Sequence, residues 1–131
     1  MYRYDPASDT WDYAASMSYG HENFAATASE DYIYVFGGWN SVCERYDPTA
    51  NSWSYLPSTP GWTSTGGADA VFLNGYLWSI GGSGKASIGH LLIDNADGTS
   101  SSSWVQKTSM SVNRGYGIQG VAVRVLNAHG A

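Results

Sequence analysis

The 131-residue sequence predicts an all-β chain made from a repeated four-stranded antiparallel unit, and three observations carry that expectation. Tyr4-Asp5-Pro6 followed by Trp11 returns 42 residues later as Tyr46-Asp47-Pro48 followed by Trp53. The stretch YIYVFGG, Tyr32 to Gly38, returns 44 residues later as YLWSIGG, Tyr76 to Gly82. Periods of this length mark propeller or solenoid arrays. The composition agrees: 10 Tyr and 6 Trp stand beside 16 Gly. Aromatic and β-branched residues suit pleated strands, Gly suits tight turns, and no 3.6-residue apolar periodicity runs through the chain.

The elements follow in order. Tyr2 to Trp11, YRYDPASDTW, reads as the outer two strands of a unit, with Asp-Pro and the polar residues after it making the turn; Pro supplies its fixed φ and Asp bonds nearby backbone. The next unit places strands near Phe24–Ser29, Tyr32–Phe36, Val42–Tyr46 and Ser52–Leu56. The one after places them near Ala68–Leu73, Tyr76–Ile80, His90–Ile93 and Ser103–Lys107. Asn74-Gly75 is a strong two-residue hairpin signal because both positions tolerate positive φ, and Glu30-Asp31 is a weaker one at the same place. In the third copy Ile93-Asp94 takes the Tyr-Asp place and Trp104 the Trp place, with four extra residues in NADGTSSSS. Met17, Thr59 and Met110 lie six residues beyond the three Trp, and His21, Thr63 and Arg114 four further on. GIQGVAVRV, Gly117 to Val125, closes the series as one more inner strand.

A hydrophobic strand ending in Gly-Gly, then Tyr-Asp-Pro, then Trp, resembles the kelch repeat, one blade of a β-propeller. The resemblance implies kelch-type blades in an incomplete ring or fragment. It divides 1–131, as a single domain, into outer strands of a partial blade (1–17), a blade (18–60), a second blade (61–110) and an inner strand of a further or shared blade (111–126). Stability in such arrays comes from neighbour interfaces, and closed rings leave no long unpaired edge. The repeated Gly, Tyr and Trp are therefore expected to shape and fill the blades rather than to do chemistry.

Charge narrows the partners. With 6 Lys and Arg against 11 Asp and Glu, the net charge is −5, which leaves no basic stripe for nucleic acid or an anionic membrane. Cys43 is the single cysteine, so neither an intrachain disulfide nor a Cys-based zinc cluster forms, and a small buried apolar role is expected. MYRYDPASDT has no apolar leader core and no run approaches the roughly 20 apolar residues of a membrane span, so the sequence reads as soluble, compatible with cytoplasm or secretion.

Strand alternation places candidate partner-binding residues at the end of the blades that holds the b-to-c loops and the connections to the next blade. They are Tyr19, His21, Trp39, Asn40, Trp62, Lys85, Arg114 and Tyr116, with Glu22 in the same connection as His21. Aromatic, Arg and His groups on loops are the types enriched where proteins meet partners. Arg114 stands where kelch repeats often carry Arg, while His21 and Thr63 replace it in the other copies, which argues against a multi-Arg clamp for an acidic peptide. Copper oxidases of the galactose oxidase kind share the blade type, yet Cys43, His21, His90 and His129 lack ligand-like spacing, and no phosphate loop or nucleophile elbow is present. The reading is a non-catalytic protein-interaction scaffold with no cofactor or metal, whose partner is a protein. Self-association to complete a ring is a further expectation. The alternative is part of a carbohydrate-active kelch protein, a lectin or an enzyme of galactose oxidase or sialic acid mutarotase type, with Trp39, Trp62 and Tyr116 as stacking platforms.

Overall fold

The structure, a computed structural model, describes residues 1–63, 66–115 and 120. Strands β1 (Tyr2–Asp5) and β2 (Thr10–Tyr13) form an antiparallel hairpin. Strands β3 (Phe24–Ala28), β4 (Ile33–Gly37), β5 (Cys43–Asp47) and β6 (Ser52–Leu56) form a four-stranded antiparallel sheet in sequence order. Strands β7 (Asp69–Leu73), β8 (Tyr76–Ile80), β9 (Ile88–Leu92) and β10 (Val105–Lys107) repeat it. The all-strand, four-stranded antiparallel plan is the one expected from the sequence. The additional inner strand expected over Gly117–Val125 lies outside the described residues apart from Gly120.

Turn chemistry explains the hairpins. The Asp5 carboxylate accepts from Ala7 N at 2.9 Å and Ser8 Oγ at 3.0 Å, and Asp47 Oδ1 accepts from Thr49 N and Ala50 N at 2.9 Å, so each Asp-Pro turn is tied by its own Asp. Both turns end on a left-handed residue, Asp9 at φ 54° and Asn51 at φ 48°, types that tolerate that region. Asn74 and Gly75 have φ 52° and 79°, as a two-residue primed turn requires. At Glu30-Asp31 the Ser29 hydroxyl instead accepts from Tyr32 N at 3.1 Å and closes the turn.

One alignment is corrected by strand register. Ile33 faces Tyr46 across β4 and β5, and its repeat equivalent Leu77 faces Leu91 across β8 and β9. Leu91, not Ile93, therefore holds the Tyr46 place, and the insertion before Trp104 is two residues longer than the Ile93-Asp94 match implied. Burial decides the register: Leu91 is wholly buried, as Tyr46 nearly is, whereas the Ile-Asp match followed residue type alone.

The core lies between the two four-stranded sheets. Tyr34, Phe36, Leu77 and Leu91 are fully buried, with Ala25, Cys43, Leu56 and Ala70 around them. Tyr34 stacks on Phe72 with ring centroids 5.4 Å apart, and Phe36 meets Trp104 edge-on at 5.4 Å. Each large side chain so buried contributes about 1.5 to 3 kcal/mol. Two indole N–H groups repeat one contact between neighbouring sheets: Trp53 Nε1 donates to Ala15 O, and Trp104 Nε1 to Pro57 O, both at 2.9 Å. Each acceptor lies four residues beyond the preceding repeat Trp.

The Gly-Gly pairs bring loops together at one end of the blades. Gly38 at φ 85° and Gly82 at φ 86° sit where an added Cβ would run into the backbone of Glu22 and of Ala68, respectively. Only glycine gives both the dihedral and the clearance.

Candidate functional site

The Gly38 contact sets the β4–β5 loop (38–42) against the β2–β3 connection (14–23), and a cleft of about 420 Å³ opens between them. Tyr19, Gly20, His21, Glu22, Gly38, Trp39 and Asn40 line it. Four of the eight residues expected from the sequence, Tyr19, His21, Trp39 and Asn40, thus share one cleft.

Their roles differ. The His21 and Glu44 side chains are completely buried, with Nε2 and Oε2 3.0 Å apart. Nδ1 lies 2.6 Å from Gly37 O, and since a carbonyl oxygen only accepts, Nδ1 donates. A second proton then lies between Nε2 and Oε2, and the pair as a whole carries no net charge. The other carboxylate oxygen of Glu44 accepts from Ser18 N at 2.9 Å, so one β5 side chain anchors both ends of the Ser18–His21 segment. Asn40 is similarly occupied: Nδ2 donates to Gly38 O at 3.1 Å, and Oδ1 accepts from Val42 N at 2.8 Å.

Tyr19 and Trp39 face outward. Tyr19 is 50% exposed, with its ring edge-on to His21 at 6.2 Å. Trp39, at φ 69°, is 55% exposed, and its indole passes so close to Gly66 that a Cβ there would lie 3.2 Å from the ring. Glu22 is exposed at the cleft edge.

Trp62, Lys85 and Arg114 gather around the β8–β9 loop (81–87) instead. Lys85 Nζ donates to Gly61 O at 2.9 Å and Thr63 O at 2.7 Å, closing the β6–β7 connection. Trp62 is half-buried over Gly89, where an added Cβ would strike the indole. Arg114 is exposed and its backbone bridges Lys85, with Arg114 N donating to Lys85 O at 3.2 Å. Tyr116 lies outside the described residues.

Sequence reasoning placed Glu22 in the right connection but not among the candidates, and it gave Glu44 no partner. The Glu44 role has no local signal, because the strand separates it from His21 in sequence while register brings it back in space. The Asn40 role does have one, since Asn in the short loop after Gly-Gly, here one residue beyond Trp39, is a loop-closing type.

No group of three or more His, Cys, Asp and Glu is placed to hold a metal ion among the described residues. Nor, among them, is any helix long and apolar enough to cross a membrane. Cys43 is buried, and burial, followed by the neighbouring Glu44, pushes its thiol well above the ordinary range, which leaves it unreactive at neutral pH. His90 stacks on Tyr76 at 4.3 Å, away from the cleft residues, and burial, then Lys107, hold its imidazole below its usual value.

Comparison with known proteins bears on this arrangement. The kelch motif matches residues 22–60, the span that holds β3 to β6 and the β4–β5 loop, while Tyr19, Gly20 and His21 of the cleft lie just before it. An F-box/kelch-repeat protein of Arabidopsis thaliana is 29% identical over 112 residues, covering 79% of this chain and 29% of its own length. Kelch-like protein 36 of Rattus norvegicus is 37% identical over 68 residues, covering 48% of this chain and 11% of its own. The solved structure of YjhT superposes with a TM-score of 0.67 at 17% identity, covering 84% of this chain and 43% of that one. The chain thus spans less than a third of either curated relative and under half of YjhT.

Proposed function

Because the chain belongs to the kelch-repeat family and its sheets are kelch-type propeller blades, we propose that it acts as a non-catalytic interaction module that binds a polypeptide partner through loops at one end of the blades. The supporting observation is the cleft between the β2–β3 and β4–β5 loops. There Tyr19 and Trp39 offer large exposed aromatic surface on a scaffold held by the buried His21–Glu44 pair and the Gly38 contact. Rigid loops carrying aromatic anchors lose little entropy on binding. The His21 imidazole and the Asn40 amide, which line the cleft, are engaged within the fold.

A second reading is carbohydrate binding, favoured by the same exposed indole of Trp39, a surface on which a sugar ring stacks. Parallel peptide and glycan arrays separate the two. Peptide capture that falls about tenfold in Trp39→Ala, with the glycan array silent, is the expected result. Glycan capture lost in the same variant would replace this reading with the second.

A further inference from the structure

Resting on the interaction-module reading and sharpening it, we propose that the cleft receives a cationic side chain, lysine or arginine, from the partner polypeptide.

The inference begins with which cleft groups remain available. Both His21 ring nitrogens, both Glu44 oxygens and both polar atoms of the Asn40 amide have partners inside the fold. The Glu22 carboxylate does not: no cation and no hydrogen-bond donor among the described residues pairs with it, although it sits exposed at the cleft edge. The half-exposed rings of Tyr19 and Trp39 line the same cleft. A carboxylate and aromatic faces lining one cleft attract a cation in two ways, by charge-assisted hydrogen bonding and by the ring quadrupoles.

Charge on the rest of the molecule points the same way. The buried His21–Glu44 pair is neutral as a whole, so it leaves the Glu22 charge uncompensated. Lys85 is held by the Gly61 and Thr63 carbonyls, Arg3 lies beside Asp12, Arg45 is buried beside Asp47, and the exposed Lys107 and Arg114 are not among the residues that line the cleft. With a net charge of −5, the chain favours approach of a basic segment and opposes an acidic one. A volume of about 420 Å³ suits one or two extended side chains.

The test is an array in which each peptide is printed in Arg, Lys, Gln and Glu versions at one central position, probed with the wild-type chain, Glu22→Gln and Trp39→Ala. Thermal melts establish that both variants fold. The expected result is retention of the Arg and Lys versions about three- to tenfold above the Gln and Glu versions, weakening with added salt. That preference disappears in Glu22→Gln, and retention of all versions falls in Trp39→Ala. Equal retention of Gln versions, or a preference unchanged in Glu22→Gln, overturns the cationic assignment while leaving peptide binding through the cleft in place. Failure of every version to bind removes the interaction reading and this inference together.

Discussion

The His21 imidazole sits where the sequence suggests a binding group, yet both of its nitrogens serve the fold. Its proton arrangement yields a prediction. A Gln at position 44 has an N–H to donate to Nε2 and an oxygen to accept from Ser18 N, so it supplies the shared proton from its own amide. Glu44→Gln should therefore cost about 1 kcal/mol. Glu44→Ala and His21→Ala each strand a buried polar partner and should cost about 3 to 5 kcal/mol. Urea denaturation of the three variants measures this, and a Gln variant as unstable as the Ala variant would contradict the assigned hydrogen bonding. Position in the repeat made the His21 loop legible in the sequence. Its engagement was not, because the partner lies 23 residues away on a strand whose register only the folded sheet fixes.

The strands themselves were largely legible. Tyr76–Ile80 and Ser52–Leu56 agree to the residue with the expected spans, because alternation, the Asn-Gly turn and the Asp-Pro turn all mark the same limits. The third copy was harder, since its long insertion removed the turn that would have set the register, and only burial of Leu91 restores it. Repeated Trp was expected to fill space; its N–H adds a directional link that spacing alone did not disclose. Trp53→Phe and Trp104→Phe keep the ring and lose one hydrogen bond to a carbonyl of the preceding repeat, so each should lower stability by about 1 kcal/mol. Trp11 meets Tyr4 at 5.1 Å, as Trp53 meets Tyr46, but it is 68% exposed and its N–H has no acceptor among the described residues. Trp11→Phe should thus stay within about 0.5 kcal/mol of wild type. Thermal melts of the three variants check the pattern, and equal losses at all three positions would deny the N–H its linking role.

Between the two four-stranded sheets, the β9–β10 loop (93–104) acts as a strap. Arg45 Nη1 donates to Asp97 O, Tyr34 Oη donates to Gly98 O at 3.3 Å, and the Arg45 guanidinium lies 4.6 Å from the centre of the Tyr32 ring. The insertion that obscured the repeat thus joins one blade to the next. Its shape depends on two carboxylates. Asp94 accepts from Ser101 N at 2.8 Å, Ser101 Oγ at 2.7 Å and Ser102 Oγ at 3.1 Å, and these bonds, the backbone one foremost, hold its carboxyl below the ordinary 3.8. Asp97 is lowered by the Thr99 hydroxyl, then by Thr99 N, with Arg45 adding to both. A carboxylate whose folded value is depressed binds protons less readily than in the unfolded chain. Its stabilisation is therefore complete above about 3.8 and is lost as pH falls through the lowered folded values. His90 adds an earlier step of the same sign: its imidazole is also held low, so the unfolded chain takes up the proton first and stability begins to fall below about 6.5. Melting midpoints from about pH 8 to 2 should therefore decline in two stages. Asp94→Asn should flatten the lower stage, where Asp5 and Asp97 still contribute, and leave the upper one unchanged, while His90→Gln should do the reverse. If the wild type and Asp94→Asn lose stability in parallel below about pH 4, the strap does not draw its strength from that carboxylate, and the coupling between blades rests on the aromatic packing of Tyr34 against Phe72 and Phe36 against Trp104.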